Sequence, residues 1–418
     1  MVYLDWASTA IPERELQIAA LKQAMDSFGN PSSTHAEGRK AQANLEDARA
    51  RLCRALVSGG QEIGNADDEH QSSLMSHSAS RQCVKGVERL VFTGSGTEAD
   101  QIILLSFLQS SKFRHGVQAP HLILSAIEHP AIYAQTQTLQ KLGFEVSFVR
   151  PDETGIVDPN RAAQQLKTNT VCVAVMAVNN ETGAIQNIVG INDAITQAAK
   201  NLGVKKPWFH VDCVQALGKI EIKEILKAAS SAAFSAHKIG GPRGVGALWL
   251  NEEIKPLAVG GGQEGGVRSG TENLFGALGF AACAEKAARD LGTNQKNAKN
   301  LAARLVSGIR AIPGALVLPE CRQTIDERYS PWVLSAAFPG LSGEVFARAL
   351  SDAGFAVSTG SACSHTHKER DFRVLTAMGV PEELAFASIR ISMGPKTTIE
   401  EIDAFLNDAS DLYSKLKT

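Results

Sequence analysis

The chain has 418 residues, 44% hydrophobic and 21% charged, with a formal net charge of −2. That is enough apolar material for a large buried core, in two domains or in one large domain with a smaller attachment. A charge near zero, without a basic stripe or a long like-charge block, argues against nucleic acid and anionic membrane surfaces as partners. The start "MVYLDWASTAIPE" carries Asp5 early and no basic segment followed by an apolar run, so it does not read as a signal peptide. No apolar stretch is long enough to span a bilayer. Seven cysteines (Cys53, Cys83, Cys172, Cys213, Cys283, Cys321, Cys363) are scattered without CxxC pairs, which predicts reduced thiols and a cytoplasmic setting.

The first clear element is helical. In "KAQANLEDARARLCRAL", Ala41, Leu45, Ala48, Leu52 and Leu56 recur on one face. Residues 58–87 follow, polar, rich in serine and histidine and without periodicity, and read as an inserted mobile loop. From about residue 88 to 251, short apolar runs alternate with helical stretches: "RLVFTG" and a helix from Thr97, "HLILSA" and a helix after Pro130, "FEVSFV", "TVCVAVMAV" and a helix from about Asn187, then "PWFHVD", "SAAFS" and "GALWL". This is the rhythm of a mainly parallel sheet covered by helices, an α/β class. After residue 270 the pattern changes to long helices (about 272–312), the strands "WVLSAAF" and "ASIRIS", and a last helix from Thr398, which predicts a smaller α+β domain.

Polar residues cluster where these strands end. "VFTGSGTEADQI" is a strand, a glycine turn and a helix start, a place for a phosphate on exposed N–H groups with Thr97 as hydroxyl donor. Its GxGxxA spacing also matches a dinucleotide site, but that reading needs an acidic residue about 20 positions on, and "SKFRHGVQA" has none. Asp212 ends "WFHVD", with Gln215 three residues later; His129 precedes Pro130; "AVNNETGAIQ" follows the most apolar strand. Taken singly, these residues read equally well as helix caps, turn formers or structural hydrogen-bonders. Lys238 stands in "FSAHKIGGPRGVGALWL", at the mouth of a glycine-rich turn. A lysine whose surroundings lower its pKa condenses with carbonyls. Pyridoxal phosphate needs such a lysine, an acid for its ring nitrogen and a phosphate cup. Lys238, Asp212, and Thr97 with Ser235 and His237 offer all three.

The blocks "FGNPSSTHAEGRKA", "VFTGSGTEAD", "SAIEHPAI", "VNNETGAIQ", "HVDCVQALGK", "SAHKIGGPRGVGAL", "GGGQEGGVRSGTEN", "STGSACS" and "SIRISMGPKTTIEEID" together resemble cysteine desulfurases of the NifS/IscS type. These are class V aminotransferases of the fold-type-I pyridoxal-phosphate group, and the resemblance runs through nearly the whole chain. It implies a large cofactor-binding domain, 14–262, and a small domain made of 1–13 and 263–418. It further implies that Lys238 holds the cofactor covalently and that Asp212 pairs with its ring nitrogen. His129 would stack on the ring, Gln215 would bond its phenolic oxygen, and Gly96, Thr97, Ser235 and His237 would surround the phosphate. Thr271 would reach the phosphate of a second subunit in a homodimer. Asn180 and Arg390 would bind the carboxylate of L-cysteine, the arginine fork matching both oxygens.

Cys363, in a loop of small residues, would take the substrate's sulfur as a persulfide, leave L-alanine and pass the sulfur to an acceptor or scaffold protein for iron–sulfur clusters or other sulfur cofactors. A selenocysteine lyase or another class V enzyme shares the scaffold; relative turnover of the two amino acids separates the first, and the need for Cys363 the second. Trp6 and Gln101 stand where the family usually has asparagine, and the stretch after Cys363, "SHTHKERDFRVLTAMG", is unusually charged. "CSHTH" could hold a metal, but ligands two apart on one loop read better as solvated surface, so no metal is assigned.

Overall fold

The structure, a computed structural model, describes residues 1–58, 89–109, 119–360 and 372–417. The insert expected at 58–87 lies outside the described residues except for Ser58, and Cys363 with its loop lies outside them too. No helix among the described residues is long and apolar enough to cross a membrane.

The strands in chain order are β1 (Val2–Tyr3), β2 (Arg89–Thr93), β3 (His121–Ser125), β4 (Glu145–Val149), β5 (Thr170–Ala174), β6 (Trp208–Asp212), β7 (Ser231–Ser235), β8 (Gly246–Leu250), β9 (Leu316–Leu318), β10 (Val333–Ala337), β11 (Phe355–Ala356) and β12 (Ser388–Ser392). Seven form the main sheet in the order β2-β8-β7-β6-β5-β3-β4. Its pairs from β7 to β4 are parallel, and only β8 runs the other way, antiparallel to both neighbours. The mainly parallel sheet read from the sequence is present; the reversal of β8 is not legible there, because "GALWL" is buried along its whole length like its parallel neighbours. One consequence matters for chemistry. The ends of β2, β3, β5, β6 and β7 all open on one edge, and β8 begins there at Gly246, which pairs with both Thr93 and Ser235.

Helices α1 (Arg14–Met25) and α2 (Ala36–Val57) and the helix Leu274–Arg289 cover one face. The α2 stripe Ala41, Leu45, Ala48, Leu52 and Leu56 is buried throughout. Burial of each leucine contributes roughly 1.5–3 kcal/mol, more than propensity supplies, so this helix is held by its packed face. The first core joins these residues to Phe209, Val211 and Phe234 of the sheet and also takes in Ala277, Phe280 and Ala284. The helix Leu274–Arg289, which the sequence division puts with the smaller part, therefore packs with the large sheet.

The second core surrounds the sheet β12-β10-β9 and includes Leu305, Phe346, Phe405 and Tyr413. Its last helix, Ile399–Leu416, starts at the expected Thr398 with a reciprocal capping box: Glu401 N–H donates to Thr398 Oγ1 (3.3 Å), and Thr398 N–H to Glu401 Oε2 (3.0 Å). The N-terminal segment belongs to this half, β1 pairing with β11 and Ser392 N–H donating to Leu4 O (2.7 Å). Cys172, Cys213, Cys283 and Cys321 are free thiols.

Candidate active site

A cavity of about 280 Å³ opens at the edge where the strands end. Helix α3 (Gly96–Ser106) starts there, directly after β2. Its N-cap is Ser95, whose Oγ accepts from Glu98 N–H (3.0 Å), so Thr97 is not the cap and its hydroxyl stands in the first turn beside the cavity. The close turn depends on two glycines. A Cβ on Gly246 would come within 2.4 Å of the Ser95 backbone, and one on Gly96 within 2.7 Å of Val214.

Asp212 ends β6 and is buried, with Val214 N–H (2.8 Å) as its one hydrogen-bond donor among the described residues. Burial first, and the nearby Asp100 second, push its carboxyl up to about 7. Asp100, on α3, pairs with His210 on β6 (3.0 Å). Trp208 Nε1–H donates to Ser231 Oγ (2.7 Å), leaving the Ser231 hydroxyl to donate to His210 Nδ1 (2.7 Å), so the imidazole Nε2–H faces Asp100. Glu128 lies in the same buried region: Ser125 Oγ–H and Met176 N–H (2.8 Å) donate to its Oε1, while its Oε2 has no partner among the described residues. Burial pushes it up to about 8.

His129 caps the short helix Pro130–Tyr133, its Nδ1 accepting from Ala131 N–H (3.1 Å). Burial, and then Lys238, lower its pKa to about 4, so the ring is neutral at pH 7 with its proton on Nε2. The 3₁₀ turn Ala236–Ile239 carries His237 and Lys238 and ends at Gly240, whose φ of 81° is left-handed. A side chain there would also meet Ile11 O at 2.9 Å, which is why the cation sits beside glycine. His237 Nδ1 bonds Thr9 Oγ1 (3.1 Å). Lys238 Nζ donates to the carbonyls of Ala7 (2.7 Å) and Ser8 (2.8 Å). Arg390 on β12 donates to Asn180 O (3.0 Å), Asp5 Oδ1 (2.9 Å) and Ser8 Oγ (2.6 Å), and its buried Nε has no partner among the described residues.

Gly96, Thr97, His129, Asn180, Asp212, Gln215, Ser235, His237, Lys238 and Arg390 thus line one cavity, although they span nearly 300 positions of the chain. Thr271 does not join them; it is exposed in the single chain. Its loop is tied to the sheet by a buried pair that sequence reasoning missed: Arg49 holds Glu264 with both Nη atoms (2.6 and 2.9 Å), and Phe92 N–H donates to Glu264 (3.0 Å). Also missed were Asp100, Glu128 and the carbonyls of Ala7 and Ser8. The acids could have been suspected as charges within apolar runs. The carbonyls carry no side-chain signal. Trp6, the departure noted above, does not line this cavity: its indole lies against Gly394, and the following Ala7 N–H donates to Ser392 Oγ (2.9 Å).

Residues 81–405 match the family Aminotransferase class-V. Along its whole length the chain is 30% identical to cysteine desulfurase IscS 1 of Archaeoglobus fulgidus, covering 98% of that protein, and over 97% of its length 32% identical to cysteine desulfurase IscS of Clostridium botulinum, covering 92%. The chain belongs to the class V aminotransferases, among the cysteine desulfurases. Solved structures agree. A NifS-like protein superposes with a TM-score of 0.81 at 29% identity, over 99% of this chain and 100% of that one. The NifS-like protein of Rickettsia africae gives 0.78 at 27%, over 99% of both. Within this desulfurase fold, the class V family implies pyridoxal phosphate, and the donor set fits it. Asp212 is a buried acid that accepts one backbone N–H and, among the described residues, has no cation in an ion pair with it, as a protonated ring nitrogen requires, and hydroxyls at the start of α3 and the end of β7 suit a phosphate.

Proposed function

We propose that this desulfurase converts L-cysteine to L-alanine and places the sulfur on Cys363 as a persulfide, using pyridoxal phosphate held covalently by Lys238. The observation that supports this most strongly is the convergence of Lys238, Asp212, His129 and Arg390 on one cavity from four separate segments. Asp212 would pair with the ring nitrogen, Gln215 with the phenolic oxygen, and Gly96, Thr97, Ser235 and His237 would surround the phosphate. Bound there, the cofactor supplies an electron-withdrawing ring conjugated to the substrate's α-carbon.

The chain's own groups do the rest. Arg390, with an Nε unpaired among the described residues, and Asn180 receive the substrate carboxylate. Lys238 Nζ would take the α-proton, and His129, neutral with a proton on Nε2, would lie against the ring and pass protons. The Cys363 thiolate then attacks the substrate sulfur. One C–S bond breaks, one S–S bond forms, and the electron pair left on carbon takes up a proton to give L-alanine. We further propose that the enzyme is a cytoplasmic homodimer, with Thr271 reaching the partner's phosphate, and that a sulfur-acceptor or scaffold protein takes the persulfide. We also propose a two-part division, 14–262 against 1–13 with 263–418; helix 274–289 packs into the core of the larger part.

The test is mass spectrometry after L-cysteine without reductant, with alanine assayed in parallel, for wild type and Cys363→Ala. One added sulfur on the Cys363 peptide, with both sulfur and alanine lost in the variant, is expected. Alanine formation that survives the substitution without added sulfur would overturn the persulfide step and keep the lysine reading.

A further inference from the structure

Lys219 follows β6 in the same loop as Gln215 and is buried. Its Nζ donates to Gln215 Oε1, and among the described residues this is its one acceptor. Burial, together with the positive charges of Lys238 and Arg390, lowers its pKa to about 7. A buried amine without a carboxylate partner is costly, and a methionine would fill the same volume without that cost. What the amine does is orient an amide. A glutamine can turn its oxygen and its NH₂ either way, but here Lys219 Nζ donates to the oxygen, which directs the NH₂ away. Gln215 Nε2 then donates to Ala7 O (2.9 Å), the same carbonyl that receives Lys238 Nζ (2.7 Å). One N–H of Gln215 remains, on a residue that lines the cavity.

We propose that Lys219 is a positioning residue for the cofactor: it locks the Gln215 amide so that its remaining N–H bonds the ring oxygen, and through the shared Ala7 carbonyl it sets the position of Lys238. The inference rests on the pyridoxal-phosphate reading above. Neutral hydrogen bonds polarised by a charge are the stronger ones, so the link acts on the cofactor's electronic state as well as on its place.

The test is a double-mutant cycle of Q215A, K219M and Q215A/K219M, with K219R as the conservative variant. The readouts are the position of the visible absorption band with pyridoxal phosphate and the dissociation constant from its titration; the melting temperature of the cofactor-free chain reports folding. K219M is expected to weaken the cofactor by on the order of ten-fold and to shift the band as Q215A does. K219R should recover part of both, and the double variant should lose no more than Q215A alone. Losses that multiply in the double variant, or a K219M protein with wild-type band and affinity, would overturn the proposal. If K219M does not fold, K219Q takes its place in the cycle with the same outcomes. Wild-type protein that binds pyridoxal phosphate without a band that Lys238→Ala abolishes would instead overturn the cofactor reading beneath it.

Discussion

Glu128 carries a charge problem that nothing in its immediate surroundings solves. Among the described residues two donors meet Oε1 and none meets Oε2, and burial holds the carboxyl protonated up to about pH 8. Between its ordinary value of 4.5 and about 8, the folded chain therefore binds a proton that the unfolded chain has lost, so this residue's contribution to stability falls as pH rises through that window. Glu128→Gln keeps the acceptor and removes the titration. From pH 5 to pH 8 the cofactor-free wild type should lose stability relative to E128Q by on the order of 1–3 kcal/mol, read by urea unfolding at each pH. Arg390 presents the opposite case, a cation already engaged by Asn180 O, Asp5 and Ser8 Oγ. A lysine cannot serve three acceptors and a substrate carboxylate in one plane. Arg390→Lys should raise KM for L-cysteine about 10- to 100-fold with a smaller fall in kcat, measured as alanine formation.

At the scale of elements, the site is made by a single reversal. Because β8 runs against its neighbours, its first residue, Gly246, meets the end of β2 and the end of β7 together. The Ser95 turn then lies so close that a Cβ would stand 2.4 Å from backbone carbon. Gly246→Ala must push that turn away, and the start of α3 moves with it. The expected result is a fall in stability of about 1–3 kcal/mol in chemical denaturation, with pyridoxal phosphate affinity falling further than stability alone explains. Gly96→Ala makes a useful contrast, since its added methyl meets a Val214 side chain at 2.7 Å and that side chain can turn.

For the whole molecule, the N-terminal segment links the two halves: β1 pairs with β11, Ala7 N–H bonds Ser392, and the next carbonyls hold Lys238. Trp6 packs on Gly394 and anchors this link, which accounts for a large residue where the family usually has asparagine. Thr271 remains exposed in the single chain, and in the proposed dimer it completes the partner's site. Mixing Lys238→Ala chains with Thr271→Ala chains tests this. A hybrid dimer has one site with both substitutions and one with neither, so activity should exceed that of either homodimer; no recovery in a verified hybrid would mean that each chain completes its own site.

The sequence by itself determined the α/β alternation, the α2 stripe and the last helix from Thr398, because each depends on local periodicity. It marked Thr97, His129, Asp212, Gln215, Ser235, His237 and Lys238 because their side chains are distinctive where strands end; Gly96, Asn180 and Arg390 entered only through the resemblance of the motifs as a set. Leu45 and Leu52 are apolar at helical spacing in any conformation, and a lysine among glycines is conspicuous before it has neighbours. Only the tertiary structure decided the direction of β8, the packing of helix 274–289 with the large sheet, the Arg49–Glu264 pair and the carbonyls that receive Lys238. Each of these is a relation between distant segments. An apolar strand buried on both faces reads the same in either direction, and a backbone carbonyl is identical at every position until the fold aims it. For the same reason, Lys219 acquires its meaning only where Gln215, Ala7 and Lys238 meet.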